Sequence, residues 1–381
     1  MKAIINGKIV LKDRVLTGKT LVFEDKIVDI FDSTTGIIPD GTEIIDAKGA
    51  YVAPGLIDVH IHGYLGEDTS DCKPEGIRIM SEGLVKKGVT GWLPTTVTIP
   101  REDLNKAADV VRSLTEESKS WMGTTILGMN AEGPYVNPKK KGAQNEAYIQ
   151  KPDADVIIEN SDVIKIVTLA PEMDTNFSAI KKIVRECDTI VSMGHTDASY
   201  EQACDAITAG VKQITHLFNA MTSLGHRNPG VVGAALNNDV YVELICDTFH
   251  IHPALFSTVY KLKKDKLIII TDCLRSGGLS DGEYTLGGQK IILKGIECRL
   301  EDGTIAGSVL TLNKGVYNLL ANTDLTVSEA VNCASLNPAT ALGIADRKGS
   351  IEIGKDADII VADERFEIKK TIIGGSIRYE A

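Results

Sequence analysis

Residues 55–63 read GLIDVHIHG, an apolar run of Leu56, Ile57 and Val59 that ends in two histidines, His60 and His62. Residues two apart on a β-strand project to the same side. The two imidazoles therefore share a face and converge on one point, as metal ligands do. Seven more apolar segments follow: with 56–59 they are 90–93, 126–131, 164–169, 189–193, 213–215, 242–246 and 267–270. Between them run stretches with apolar residues at helical spacing, such as PEGIRIMSEGLVKKG, REDLNKAADVVRSLTEE and NFSAIKKIVREC. Eight such β/α units predict an α/β fold, a closed parallel (β/α)8 barrel of the TIM type.

Barrels of this kind keep their chemistry at the C-terminal ends of the strands. Beyond His60 and His62, those ends carry Glu132 (MNAEGP), His195 (SMGHTDAS), His216 (ITHLFNAM), His250 (CDTFHIHP) and Asp272 (IIITDC). Five of the seven histidines and two carboxylates thus aim at one mouth. Imidazole and carboxylate together are what a borderline divalent metal binds, so Glu132, His195 and His216 are expected ligands. The other two histidines have plainer readings: His252, before Pro253, is a cap or packing residue, and His226 positions its neighbour Arg227. The run 139–141 (KKK) is a solvated loop close enough to Glu132 to face a substrate. The LGG at 286–288 is a hairpin turn, because no strand-to-helix junction surrounds it.

At 381 residues with 43% apolar content, the chain suffices for one large domain and a smaller one. Residues 2–50 and 349–380 both read as short alternating strands separated by turns. The expected organisation is a small β-sandwich domain from residues 1–52 and 346–381, and a catalytic barrel from 53–345. No apolar run approaches the length of a membrane span. The N-terminal MKAIINGKIV lacks the apolar stretch and cleavage site of a secretory signal, and the seven scattered cysteines form no C-x-x-C. A cytoplasmic protein with reduced thiols is expected. A net charge of −11 argues against nucleic acid and anionic membrane as partners. An anionic substrate then needs a few placed cations.

The motifs GLIDVHIHG, EGP, MGHTDAS, THLFNAM, HRNPG and GKDADIIV, in this order over nearly the whole chain, resemble the amidohydrolase superfamily. THLFNAM followed by HRNPG resembles in particular its N-acetylglucosamine-6-phosphate deacetylase family. The resemblance implies hydrolysis of a phosphorylated amino sugar's acetamide, in amino-sugar catabolism. It makes Glu132, His195 and His216 the principal metal ligands, and His60 and His62 a second position, for one or two divalent ions per subunit: zinc, iron, manganese or cobalt. It places Ala143, Gln144, Asn219 and Ala220 against the sugar, and Ile305, Ala306 and Gly307 in a loop closing over it. Arg227 becomes the phosphate-binding residue, reaching across a homodimer's two-fold axis into the partner's site. His250 contacts the acetamide carbonyl, and Asp272 is the catalytic acid and base.

Two departures from the family pattern, the Thr248-Phe249 pair before His250 and Cys273 after Asp272, are expected near the acyl end of the pocket. They bear on acyl-group preference. The alternative is another amidohydrolase, acting on a related N-acyl amino sugar, a cyclic amide or a nucleobase; many of the latter two bridge two metals with a carboxylated lysine. Lys165 sits near the start of its strand, so Glu132 is the better bridge.

Overall fold

The computed structural model describes all 381 residues. Eight parallel strands make the barrel: β1 (Leu56–Ile61), β2 (Val89–Thr96), β3 (Met129–Glu132), β4 (Ile164–Leu169), β5 (Ile190–Met193), β6 (Gln213–Ile214), β7 (Tyr241–Ile245) and β8 (Leu267–Ile270). Each pairs in parallel with the next. Every residue of β1, β2 and β8 is buried, as befits strands covered on both faces. That explains why β8 reads as a continuous apolar run and β1 as one broken only by Asp58 and His60. Between β8 and β1 the barrel is nearly closed, and its seam is stitched at the C-terminal ends. The Asp272 N–H donates to the His60 carbonyl, and the His62 N–H to that of Cys273, both at 2.9 Å. Thr271 Oγ1 donates to Asp58 Oδ2 at 2.7 Å. The seam itself therefore brings His60, His62 and Asp272 together.

Several expected boundaries shift, that of the second strand from 90–93 to Val89–Thr96 among them. The first strand runs on to Ile61, so His60 lies within it. The expected segment 126–131 is broken, because Gly128 adopts φ +139°. Thr125–Ile126 pairs with β2, and β3 proper starts at Met129. A glycine inside a strand pattern marks such an interruption.

Both chain ends build the sandwich. One sheet orders Ile27–Asp32, Lys19–Phe23, Lys2–Ile5 and Glu43–Asp46; the other orders Ser376–Glu380, Ile368–Ile373, Ile359–Ala362, Tyr51–Pro54, Lys8–Val10 and Val15–Leu16. The two ends meet directly where Tyr51–Pro54 pairs antiparallel with Ile359–Ala362. Ile4, Leu21, Phe23, Ile359, Val361 and Ile372 form part of the shared core. Gly55 links this sheet to β1, and a Cβ there would meet Thr90 Oγ1 at 2.1 Å.

After β8 the chain inserts an antiparallel three-stranded sheet, Gly282–Leu286, Gln289–Lys294 and Glu297–Leu300. Its first turn is the expected one. Gly287 and Gly288 adopt φ +54° and +80°, the left-handed pair a two-residue hairpin loop needs. Gln289 donates to the Ala143 carbonyl at 2.7 Å and Asn145 to the Gly287 carbonyl at 3.3 Å, which docks this sheet onto the loop after β3.

Candidate metal centre and its pocket

At the mouth, Nε2 of His195 and Nε2 of His216 stand 3.1 Å apart, with Oε1 of Glu132 at 3.2 and 2.9 Å from them. Beside this group, Nε2 of His60 and His62 lie 3.3 Å apart, with Asp272 Oδ1 at 3.6 and 3.2 Å. Glu132 spans both groups, Oε1 lying 3.4 Å from His60 and Oε2 3.3 Å from His62. In each group of three the ligand atoms fall within 4.8 Å of one another, and all six residues are buried.

Backbone and side-chain acceptors decide which ring nitrogen faces inward. The Nδ1–H of His195 donates to the Lys140 carbonyl at 2.8 Å, that of His62 to the Thr95 carbonyl at 3.2 Å, and that of His60 to Glu243 Oε2 at 2.9 Å. Each neutral ring therefore presents a bare Nε2 lone pair to its neighbours. Lone pairs facing one another across about 3 Å repel unless positive charge lies between them. Protons are one source of that charge. Burial resists protonation of His62, yet Asp272 and Glu132 push it up to about 9. His60 and His195 are raised against the same resistance, by Glu243 and Glu132 in the first case and by Glu132 in the second. Burial would raise Glu132, but His195 and His60 hold it well below the ordinary carboxylate range; His62 and His60 likewise lower Asp272 against burial. A divalent cation meets the same demand with one ion, so the donor set fits a borderline metal at either group. Outer acceptors on the ligand rings are the usual support of such sites.

Above the ligands opens a cavity of about 430 Å³. Of the residues expected against a substrate, Ala143, Gln144, Asn219, Ala220 and His250 line it, as do Ile305 and Gly307. Ala306 is buried and does not; Thr304 lines the cavity instead. Gly307 has φ +45°, and a Cβ there would press on Leu274 and the Asp272 carbonyl at 2.8 and 2.9 Å. That close approach lets Ser308 pair with Cys273, holding the loop against Asp272. The His250 Nδ1–H donates to Asp247 Oδ2 at 2.6 Å, leaving Nε2 as the uncommitted ring nitrogen. Gln144 donates to Glu132 Oε2 and accepts the Thr98 N–H, so its amide is engaged at both ends. Strained backbone recurs here: His195, His216, Phe218, Ala220 and Asp272 all adopt positive φ, a common feature of functional sites.

Other expectations are sorted by the same geometry. Arg227 is exposed, makes no ion pair and does not line its own chain's cavity. Lys139 and Lys140 do line it, near Asp197 at 3.5 and 3.8 Å. His252 accepts the Ala254 N–H at 3.2 Å at the start of the helix Ala254–Lys263, and so is a cap. Lys165 donates to the Ser161 and Asp162 carbonyls and touches neither group. The two departures fall outside the cavity. Thr248 is exposed, Phe249 stacks under Arg299 at 5.2 Å, and Cys273 is buried with its sulfur toward Gly277. Neither departure forms the cavity wall, although the residues that flank them, His250, Asp272 and Leu274, do.

Sequence reasoning missed Glu243, Asp58 and Asp247. Their signal was a carboxylate inside or just after a buried strand: YVELI, LIDVHI and the CDTFH that follows β7. The Lys140 carbonyl left no signal, since any residue supplies one.

The amidohydrolase family's sequence profile matches residues 51–378. The chain is 38% identical to an N-acetylglucosamine-6-phosphate deacetylase of Bacillus subtilis (strain 168), over 97% of each chain. It is 32% identical to an N-acetylgalactosamine-6-phosphate deacetylase of Escherichia coli O157:H7, over 97% of this chain and 98% of that protein. The crystal structure of N-acetylglucosamine-6-phosphate deacetylase from Pasteurella multocida superposes with a TM-score of 0.94 at 32% identity, over the full length of both. With a profile spanning the barrel and relatives alike end to end, the chain belongs to the amidohydrolase family.

Proposed function

We propose that this chain hydrolyses the acetamide of N-acetyl-D-glucosamine 6-phosphate, giving D-glucosamine 6-phosphate and acetate. The observation that carries the reading is the convergence of Glu132, His195 and His216 with the ionised Asp272 under one cavity lined by the sugar-facing residues. An amide is a poor electrophile and an amine a poor leaving group, so the site needs a strong nucleophile, a polarised carbonyl and a proton donor. A divalent ion, zinc, iron, manganese or cobalt, supplies Lewis acidity when bound, acidifying water and polarising the carbonyl. Glu132, His195 and His216 would hold it, and His60 and His62 would offer the second position. Asp272, kept ionised by His62 and His60, accepts the proton of the attacking water and delivers it to the departing nitrogen. His250 is oriented by Asp247; as an imidazolium paired with that carboxylate it would donate from Nε2 to the acetamide oxygen, where a donor contributes about 3–4 kcal/mol. Ala143, Gln144, Asn219 and Ala220 position the sugar beneath the 305–307 loop.

The division into two domains, 1–52 with 346–381 and 53–345, is part of the same proposal; the sheet pairings support the division but carry the sandwich strand on to Pro54, past the first boundary. The seven unpaired cysteines support a cytoplasmic setting, and no helix is long and apolar enough to cross a membrane.

Arg227 binds the phosphate of the partner's substrate in a homodimer; its exposure and its position off its own cavity support this. Arg227→Ala should cost roughly 2–5 kcal/mol in binding the phosphorylated sugar. Mixing Arg227→Ala and Asp272→Asn chains at random should restore about a quarter of wild-type activity, since half the dimers then hold one intact site. Verified heterodimers without recovered activity would exclude sharing.

Acetate release from N-acetylglucosamine 6-phosphate, measured with and without a chelator and after adding metal back, tests the activity. A second reading, the galacto epimer, comes from the Escherichia coli relative. The same assay run on both epimers ranks them, and no acetate from either refutes the reading.

A further inference from the structure

The most connected group behind the ligands is Glu243, a carboxylate on β7 with no solvent exposure. Its Oε2 accepts the Nδ1–H of His60 at 2.9 Å and the backbone N–H of His216 at 3.1 Å. Its Oε1 accepts the side-chain amide of Gln213 at 2.7 Å. One oxygen thus grips a residue from each donor group, the ring of His60 and the strained backbone of His216, whose φ is +30°. A buried carboxylate is costly unless hydrogen bonds and nearby positive charge compensate it. Here the hydrogen bonds are present, and a cation held by His60 would place the charge one ring away.

We propose that Glu243 is the positioning residue of the second cation position: its charge, passed through the His60 ring, sets cation affinity there, and its shared oxygen fixes the spacing of the two positions. The inference rests on His60 acting as a cation ligand. The principal position lacks this support. His195 leans on a neutral backbone carbonyl, and His216 Nδ1 is buried with no partner at all. The only anionic outer partner on a ligand ring therefore belongs to the second position, and its loss should be felt there first.

Glu243→Gln isolates charge from shape. Its amide oxygen can still accept from His60, and its amide nitrogen can meet Gln213 Oε1, buried without a partner, once Gln213 turns over. Metal-free protein titrated with cobalt(II) reads the two positions as successive spectroscopic steps. In Glu243→Gln the first step should stay within about threefold of wild type and the second weaken about 10–100-fold, the usual cost of losing an outer partner. A second step unchanged in Glu243→Gln, or both steps weakened alike in a folded variant, would overturn the proposal.

A readout independent of metal count keeps the test decisive if wild type binds one ion, which would refute the two-position reading itself. The His60 Nδ1 proton, hydrogen-bonded to a carboxylate, should resonate far downfield in metal-free wild type and move upfield in Glu243→Gln. An unmoved resonance would overturn the role of Glu243, whatever the number of ions bound.

Discussion

In the group of Glu132, His195 and His216 the three ligand atoms lie 2.9–3.2 Å apart; in that of His60, His62 and Asp272 they lie 3.2–3.6 Å apart. The first is anchored by backbone, the Lys140 carbonyl and the strained turns at His195 and His216. The second straddles the seam between β8 and β1 and includes the carboxylate with proton work to do. A group that must release and accept a proton cannot be clamped as hard as one that only holds a cation. The difference is in keeping with the proposed division, in which the tight group holds a cation and the looser one moves the proton.

The strongest way to break this assignment is Asp272→Asn. It keeps the side chain's size but cannot accept the proton, so kcat should fall about 10²–10⁴-fold. The cation at His195 and His216 should remain, as elemental analysis will register. Near-normal turnover would return the proton to another group. His60→Ala should come next, weakening uptake of a second cation by at least about tenfold, a cost that even outer partners reach. His195→Ala, in contrast, should weaken uptake of the first. Equal effects of the two substitutions on one binding step would erase the distinction.

A smaller effect concerns protons. In the metal-free protein burial holds the His62 ring down, but Asp272 and Glu132 push it up to about 9. Below that value it carries a proton that a cation must displace, so adding zinc near pH 8 should release acid. The release should fade as the pH rises through about 9. An indicator titration showing no acid at pH 8 would place His62 outside the binding event. The smallest effect is expected from Thr248→Gly. Removing a side chain from φ +70° should stabilise the fold by about 1 kcal/mol. Cation uptake and acyl preference should not change, because Thr248 lines no part of the cavity. A shifted acyl preference would bring the expectation of a pocket role back.

The strand-end residues were legible because the barrel turns a one-dimensional rule into a three-dimensional one: whatever follows each apolar run arrives at the same mouth. The support beneath them was not. His60 and Glu243 are 183 positions apart, and their contact depends on register across a closed sheet. The docking of the inserted hairpin on Ala143 and Asn145 was equally invisible, although its turn was readable from two adjacent glycines. Gln144 looked like a sugar contact by resemblance, and its grip on Glu132 appears only when both ends of the amide are traced.

Anomalous diffraction from crystals equilibrated with a limiting and then an excess concentration of zinc tests the two-group account most directly. The account predicts one peak among His195, His216 and Glu132 at limiting zinc, and a second beside His60 and His62 in excess. A first peak at His60 and His62, or peaks outside both groups, would contradict it.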